Sequence, residues 1–177
     1  LTLALGLAAS ALAQAPEAAA PATELAANPY GLAVDRTGLM WISSPNNPAY
    51  PLNSFNVNTN KVVDSVARPY NTYGVTVDSQ NNAWFASWCT NHLLRIDAKT
   101  KTLKTWDPDL PHARPRRGHF DSNGTLWYAE YGSNAVGRFD PKTEKITEWQ
   151  MPVQWQMPYD ALANKKGDVY SGSMLSD

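Results

Sequence analysis

Cysteine is almost missing from the 177-residue sequence: Cys89 stands alone. That excludes an internal disulfide and any cluster of thiolate metal ligands, so packing must hold the fold. Net charge is nearly missing too, at −1 from 15 basic and 16 acidic residues. The basic residues are spread along the chain, and the concentrated positive surface expected of a nucleic-acid binder is absent. No apolar run reaches the roughly 20 residues of a membrane-spanning helix. Helical patterning is absent beyond the first 26 residues: no window of a dozen repeats apolar positions at i, i+3, i+4 and i+7, and 13 prolines are scattered through the chain. There is no phosphate-binding glycine loop, HExxH zinc motif, Gly-x-Ser-x-Gly elbow or EF-hand loop.

What is present begins with an apolar, small-residue stretch over 1–13 that ends in Ala11-Leu12-Ala13. It reads as part of a secretory signal with its cleavage site, followed by an Ala/Pro/Glu-rich linker over 14–27. With no initiator Met and no basic segment before Leu1, the sequence reads as starting inside that signal. The expected location is periplasmic or secreted. The remaining 28–177 are enough for one domain with a real core.

That domain is periodic. Trp41, Trp84, Trp127 and Tyr170 are spaced by 43 residues, and so are Asp35, Asp78, Asp121 and Asn164. Tyr30, Tyr73 and Tyr159 follow the same step, with Arg116 in the third copy; Asp97 and Asp140, and Trp106 and Trp149, extend it. A fixed period of this length marks a repeat architecture. Each repeat reads as four short strands. In the third these fall near Arg117–Asp121, Thr125–Tyr131, Ala135–Asp140 and Lys145–Trp149. Asn123-Gly124 supplies the positive φ of the first hairpin, and Pro141-Lys142-Thr143-Glu144 forms the last turn. Four antiparallel strands per repeat make a β-propeller blade. The predicted fold is all-β, with blades at about 28–68, 69–112, 113–152 and 153–177, the fourth stopping after its second strand. The tryptophan column is expected between blades, where each indole hides roughly 150–250 Å² and contributes several kcal/mol of gross stabilisation at about 25 cal/mol per Å². The aspartate column is expected to accept hydrogen bonds from turn amides.

These repeats resemble the virginiamycin B lyase (streptogramin lyase) family. The resemblance is carried by Pro29-Tyr30-Gly31-Leu32-Ala33-Val34-Asp35, Gly124-Thr125-Leu126-Trp127-Tyr128-Ala129-Glu130, Asn134-Ala135-Val136-Gly137-Arg138-Phe139-Asp140-Pro141-Lys142-Thr143 and Lys145-Ile146-Thr147-Glu148-Trp149. It implies a monomeric seven-bladed ring, of which about 3.5 blades are present, and whose open faces would associate or aggregate in isolation. It also implies an elimination that opens a cyclic depsipeptide at its ester C–O bond, with a His as general base and Mg²⁺ as the polarising ion. The family's catalytic residues lie on later blades, so none is carried over to this sequence.

Two columns still locate a candidate ligand site, at the start of the first strand and the end of the second. They hold Tyr30-Gly31, Tyr73-Gly74, Arg116-Arg117 and Tyr159-Asp160, and Ser44, Ser87, Glu130 and Ser173. The third blade departs from the others. Arg116, Arg117 and Glu130 are expected to line one mouth of the channel, with arginine bidentate to an anionic group of a small-molecule or peptide-like ligand. Tyr30, Tyr73, Tyr159 and Asp160 complete the candidate set. A plain Arg to Glu salt bridge is the competing reading. His119 reads as a packed core histidine, His92 and His112 as solvated, and Cys89 as buried or paired elsewhere. Three functions remain: a streptogramin-lyase-like enzyme, a non-catalytic ligand- or protein-binding propeller, and a calcium-dependent lactonase-type propeller. The last is disfavoured because only Glu130 and Asp160 offer channel carboxylates.

Overall fold

The computed structural model describes residues 29–45, 52–66 and 71–175; the expected signal segment and linker lie outside them. Strands β1 (Gly31–Val34), β2 (Leu39–Ser43), β3 (Leu52–Asn56) and β4 (Lys61–Val66) form one antiparallel sheet in sequential order. The second sheet is β5 (Thr72–Val77), β6 (Ala83–Ser87), β7 (His92–Ile96) and β8 (Leu103–Trp106). The third is β9 (Pro115–Phe120), β10 (Leu126–Glu130), β11 (Ala135–Asp140) and β12 (Lys145–Gln150), and β13 (Pro158–Ala163) pairs with β14 (Val169–Ser173) as the inner half of a fourth. No helix occurs among the described residues. The fold is an all-β propeller of three complete blades and half of another.

The repeated aspartates close the first hairpin of each blade. Asp121 Oδ1 accepts from the amides of Asn123 at 2.8 Å and Thr125 at 3.0 Å. Asp35, Asp78 and Asn164 make the same bonds in their own turns. The left-handed position of this turn is Gly38, Asn81, Gly124 and Gly167, again 43 apart, with φ between 67° and 90°. In the first hairpin of the third blade only Gly124 is left-handed, not the Asn-Gly pair: Gly124 N bonds Asp121 O and Asp121 N bonds Thr125 O. That is a type I turn closed by a glycine bulge.

Blades stack through the faces that carry these columns. Leu39 and Trp41 of the first pack on Phe85, Leu94 and Ile96 of the second, and Trp84 and Leu93 of the second pack on Leu126, Tyr128 and Phe139 of the third. Each tryptophan thus docks on the following blade. Trp41 and Trp84 are each 1% exposed, Trp127 is half-buried against Trp149, and Tyr170, with no following blade among the described residues, is 56% exposed. The expectation of buried tryptophans therefore holds fully for two of the three, because burial depends on the next blade and not on the strand itself.

Candidate functional site

First strands of successive blades lie side by side, β1 beside β5, β5 beside β9 and β9 beside β13. This forces close backbone approach. A Cβ on Gly74 would lie 2.2 Å from Arg116 O, and one on Gly31 would lie 2.8 Å from Tyr73 O, which accounts for the Tyr-Gly pairs.

Bulges aim the corresponding side chains of the second, third and fourth blades. Registers slip between Thr72 and Gly74, between Tyr128 and Glu130, and between Pro158 and Asp160, leaving Tyr73, Arg116-Arg117 and Tyr159 as the extra residues of their strands. A bulge bends its strand and turns a side chain out of the pleat. It also makes β9 start at Pro115, earlier than the expected Arg117. The consequence is convergence: the Tyr30 and Tyr73 hydroxyls each bond Tyr159, at 2.6 and 2.8 Å, and bond one another.

Arg116 is buried within this cluster. Its guanidinium lies over the rings of Tyr159 at 4.0 Å, Tyr73 at 4.5 Å, Tyr131 at 4.6 Å and Trp88 at 5.8 Å. It donates to Tyr73 Oη at 2.7 Å and approaches Met174 Sδ at 3.0 Å. Burial opposes the charge on Arg116, but the Tyr73 hydrogen bond and the electrostatic pull of the Tyr73, Tyr159 and Tyr30 oxygens together outweigh it and hold the group protonated; burial pushes the Tyr73 phenol well above its ordinary value. Trp88, Tyr131 and Met174 escaped the sequence reading although they are spaced by 43 residues, one position beyond the second-strand column.

Arg117 is different. It sits over Tyr159 at 5.0 Å and Tyr30 at 5.4 Å, and it makes no hydrogen bond among the described residues. No carboxylate among the described residues lies within 4.0 Å of Arg116 or Arg117, so the alternative Arg116 or Arg117 to Glu130 salt bridge is not formed. Arg117 faces a groove of about 280 Å³ lined also by Tyr30, His119 and Asp160. His119, expected in the core, is instead 53% exposed there, its Nε2 3.1 Å from Asp160 Oδ2. That hydrogen bond raises the imidazole pKa above its ordinary value. Its column-mates Ala33, Thr76 and Leu162 are small or apolar and gave no sign that His119 reaches the groove.

Glu130 stands apart from the groove. It lies on the face of β10 that carries Leu126 and Tyr128, fully buried against the second blade, with Oε2 accepting from Ser133 Oγ at 2.8 Å. Its Oε1 and the Tyr128 hydroxyl are enclosed without a hydrogen bond of ordinary geometry. Burial, reinforced by Glu148, pushes the Glu130 carboxyl up to about 8. Ser44 and Ser87 are likewise buried, so the second-strand column does not line the mouth. His112 is exposed as expected; His92 instead hydrogen-bonds Asp107, and Cys89 is exposed. No three His, Cys, Asp or Glu side chains converge among the described residues. The resemblance places its Mg²⁺ ligands on later blades, outside these residues.

Compared with solved structures, the chain superimposes on a catalytically inactive variant of virginiamycin B lyase from Staphylococcus aureus crystallised with quinupristin, at a TM-score of 0.72 and 22% identity over 82% of this chain and 49% of that one. The fold is that of the virginiamycin B lyases. A streptogramin B lyase structure matches at a TM-score of 0.64 and 21% identity, over 82% of this chain and 62% of that one. The same architecture recurs in hydrazine synthase from Kuenenia stuttgartiensis, at a TM-score of 0.70 and 14% identity over 81% of this chain and 41% of that one. The chain thus spans about half the length of the lyases it matches. No protein-family signature matches the chain, and no curated protein matches by sequence. Likeness at this identity concerns the scaffold, which hosts several chemistries.

Proposed function

We propose that this chain is part of an exported propeller of the streptogramin-lyase kind that holds a small or peptide-like ligand at the axial mouth through a carboxylate. The supporting observation is Arg117: a guanidinium with no carboxylate partner, beside a groove, next to tyrosine rings and a protonatable His119. Arginine binds carboxylates through two parallel N–H donors, so an unpaired one facing a groove suits an anionic group.

The lyase reading asks for such a group. Elimination from a cyclic depsipeptide transfers the α-proton to a base, forms a carbon–carbon double bond and breaks the bond from the β-carbon to the ester oxygen. The leaving group is a carboxylate, and a guanidinium placed to receive it favours bond breaking. The base and the metal in this reading belong to blades outside the described residues.

Non-catalytic binding is the second reading, favoured by the Arg117 guanidinium beside tyrosine rings at the groove, which asks only for an anionic ligand. Incubating purified protein with quinupristin separates the two. Elimination opens the ring without changing its mass, so the product is followed by its chromatographic shift and its new carboxylate. Conversion that falls at least about tenfold in Arg117→Ala supports the enzyme. Saturable binding of the ring-opened quinupristin acid, lost in Arg117→Ala, without conversion of the intact ring supports the binding module, and the absence of both acid binding and conversion overturns the proposal.

A further inference from the structure

A second depression lies beyond Tyr131, away from Arg117. It encloses about 300 Å³ and is lined by Tyr131, Asn134, Gln150, Gln154, Trp155 and Met157, with no charged side chain among them. Trp155 is 73% exposed, the most exposed of the large apolar side chains. Gln150 and Gln154 are exposed, and their amides have no partner among the described residues.

The platform is held in place. Trp155 and Met157 have φ of 62° and 50°, in the left-handed region that bulky residues rarely adopt. Asn134 pins the loop that carries them: its Nδ2 donates to Val153 O at 2.8 Å, its Oδ1 accepts from Met157 N at 3.0 Å, and its carbonyl accepts from Met151 N at 2.9 Å. An aromatic ring kept exposed by a disfavoured backbone is organised before a ligand arrives.

We infer that this depression is a binding site for a neutral saccharide. Three properties of the lining select that class. The flat indole offers an apolar surface to the C–H face of a sugar ring. The two glutamine amides supply donors and acceptors together, as hydroxyl groups require. The lack of charge removes any preference for an anion or a cation. Tyr131 joins this site to the arginine cage, because its ring also lies 4.6 Å from the Arg116 guanidinium.

Isothermal titration of the purified protein with maltotetraose, cellotetraose and tetra-N-acetylchitotetraose tests the inference, with end-blocked tetra-alanine as the peptide control. At least one saccharide binds. Trp155→Ala weakens it about tenfold or more, Trp155→Phe retains most of the affinity, and Gln154→Ala weakens it several-fold. Arg117→Ala leaves saccharide binding unchanged, so failure here is distinguishable from failure of the carboxylate site. Binding of none of the three, binding unaffected by Trp155→Ala, or equal binding of tetra-alanine overturns the inference.

Discussion

Trp84 Nε1 donates to Asp78 Oδ2 at 2.9 Å, and Trp127 repeats the bond to Asp121 at 3.1 Å. The aspartate that closes the turn therefore also satisfies the indole six residues later, which couples the two most regular columns of the repeat. Burial opposes the charge of Asp121, but the Thr125 amide, the Trp127 indole and further turn amides outweigh it and hold the carboxyl below its usual range. Asp78→Ala leaves the buried Trp84 N–H and two turn amides without their acceptor, a loss of about 2–4 kcal/mol. Asp35→Ala is expected to cost about 1 kcal/mol less, because Trp41 Nε1 already has no partner. Urea midpoints of the two variants give the comparison.

Glu130 makes stability fall as pH rises. Its folded value of about 8 lies above its unfolded value near 4.5, so between those limits the folded state binds more protons than the unfolded one. The stabilisation is fully present below about pH 4.5 and is lost as pH rises to about 8, up to about 5 kcal/mol across the window. Glu130→Gln keeps the shape and removes the titration. Its urea midpoint should be nearly flat where the wild type declines, and a parallel decline in both proteins would show that the slope comes from other groups.

The blade was legible in the sequence because its columns are set by local chemistry. An aspartate that caps a turn and a tryptophan that covers the next blade recur wherever the same hairpin recurs. The site was only partly legible. Column position alone cannot reveal a bulge, and the bulges decide that Tyr73, Arg116 and Tyr159 converge. Glu130 was placed at the mouth because it shares a column with serines, yet the strand pleat carries it to the blade interface beside Tyr128. His119 was missed for the opposite reason, since apolar neighbours in its column concealed a position open to the groove.

The two adjacent arginines should separate on substitution. Arg116→Ala empties a cage of four rings and removes the bond to Tyr73, at a cost of about 2–4 kcal/mol. Arg117 makes no comparable bonds, and Arg117→Ala should stay within about 0.5 kcal/mol of wild type. Thermal melts of the two variants, set beside their carboxylate binding, give a double dissociation: stability depends on Arg116 and binding on Arg117.

His119 should tie ligand binding at the groove to pH. The hydrogen bond to Asp160 raises its folded pKa, so its small contribution to stability is complete below the unfolded value near 6.5 and fades as pH rises through the folded one. Below that folded value the groove presents two cations, Arg117 and His119, against the single carboxylate of Asp160; above it Asp160 cancels Arg117. Affinity for a carboxylate ligand should therefore decline with rising pH, with a midpoint equal to that of the His119 ring measured by NMR titration. Asp160→Asn removes the partner that raises the imidazole and should lower both midpoints together. If the ring midpoint falls while the binding midpoint stays, the proton that controls binding resides elsewhere and His119 is not part of the anion site.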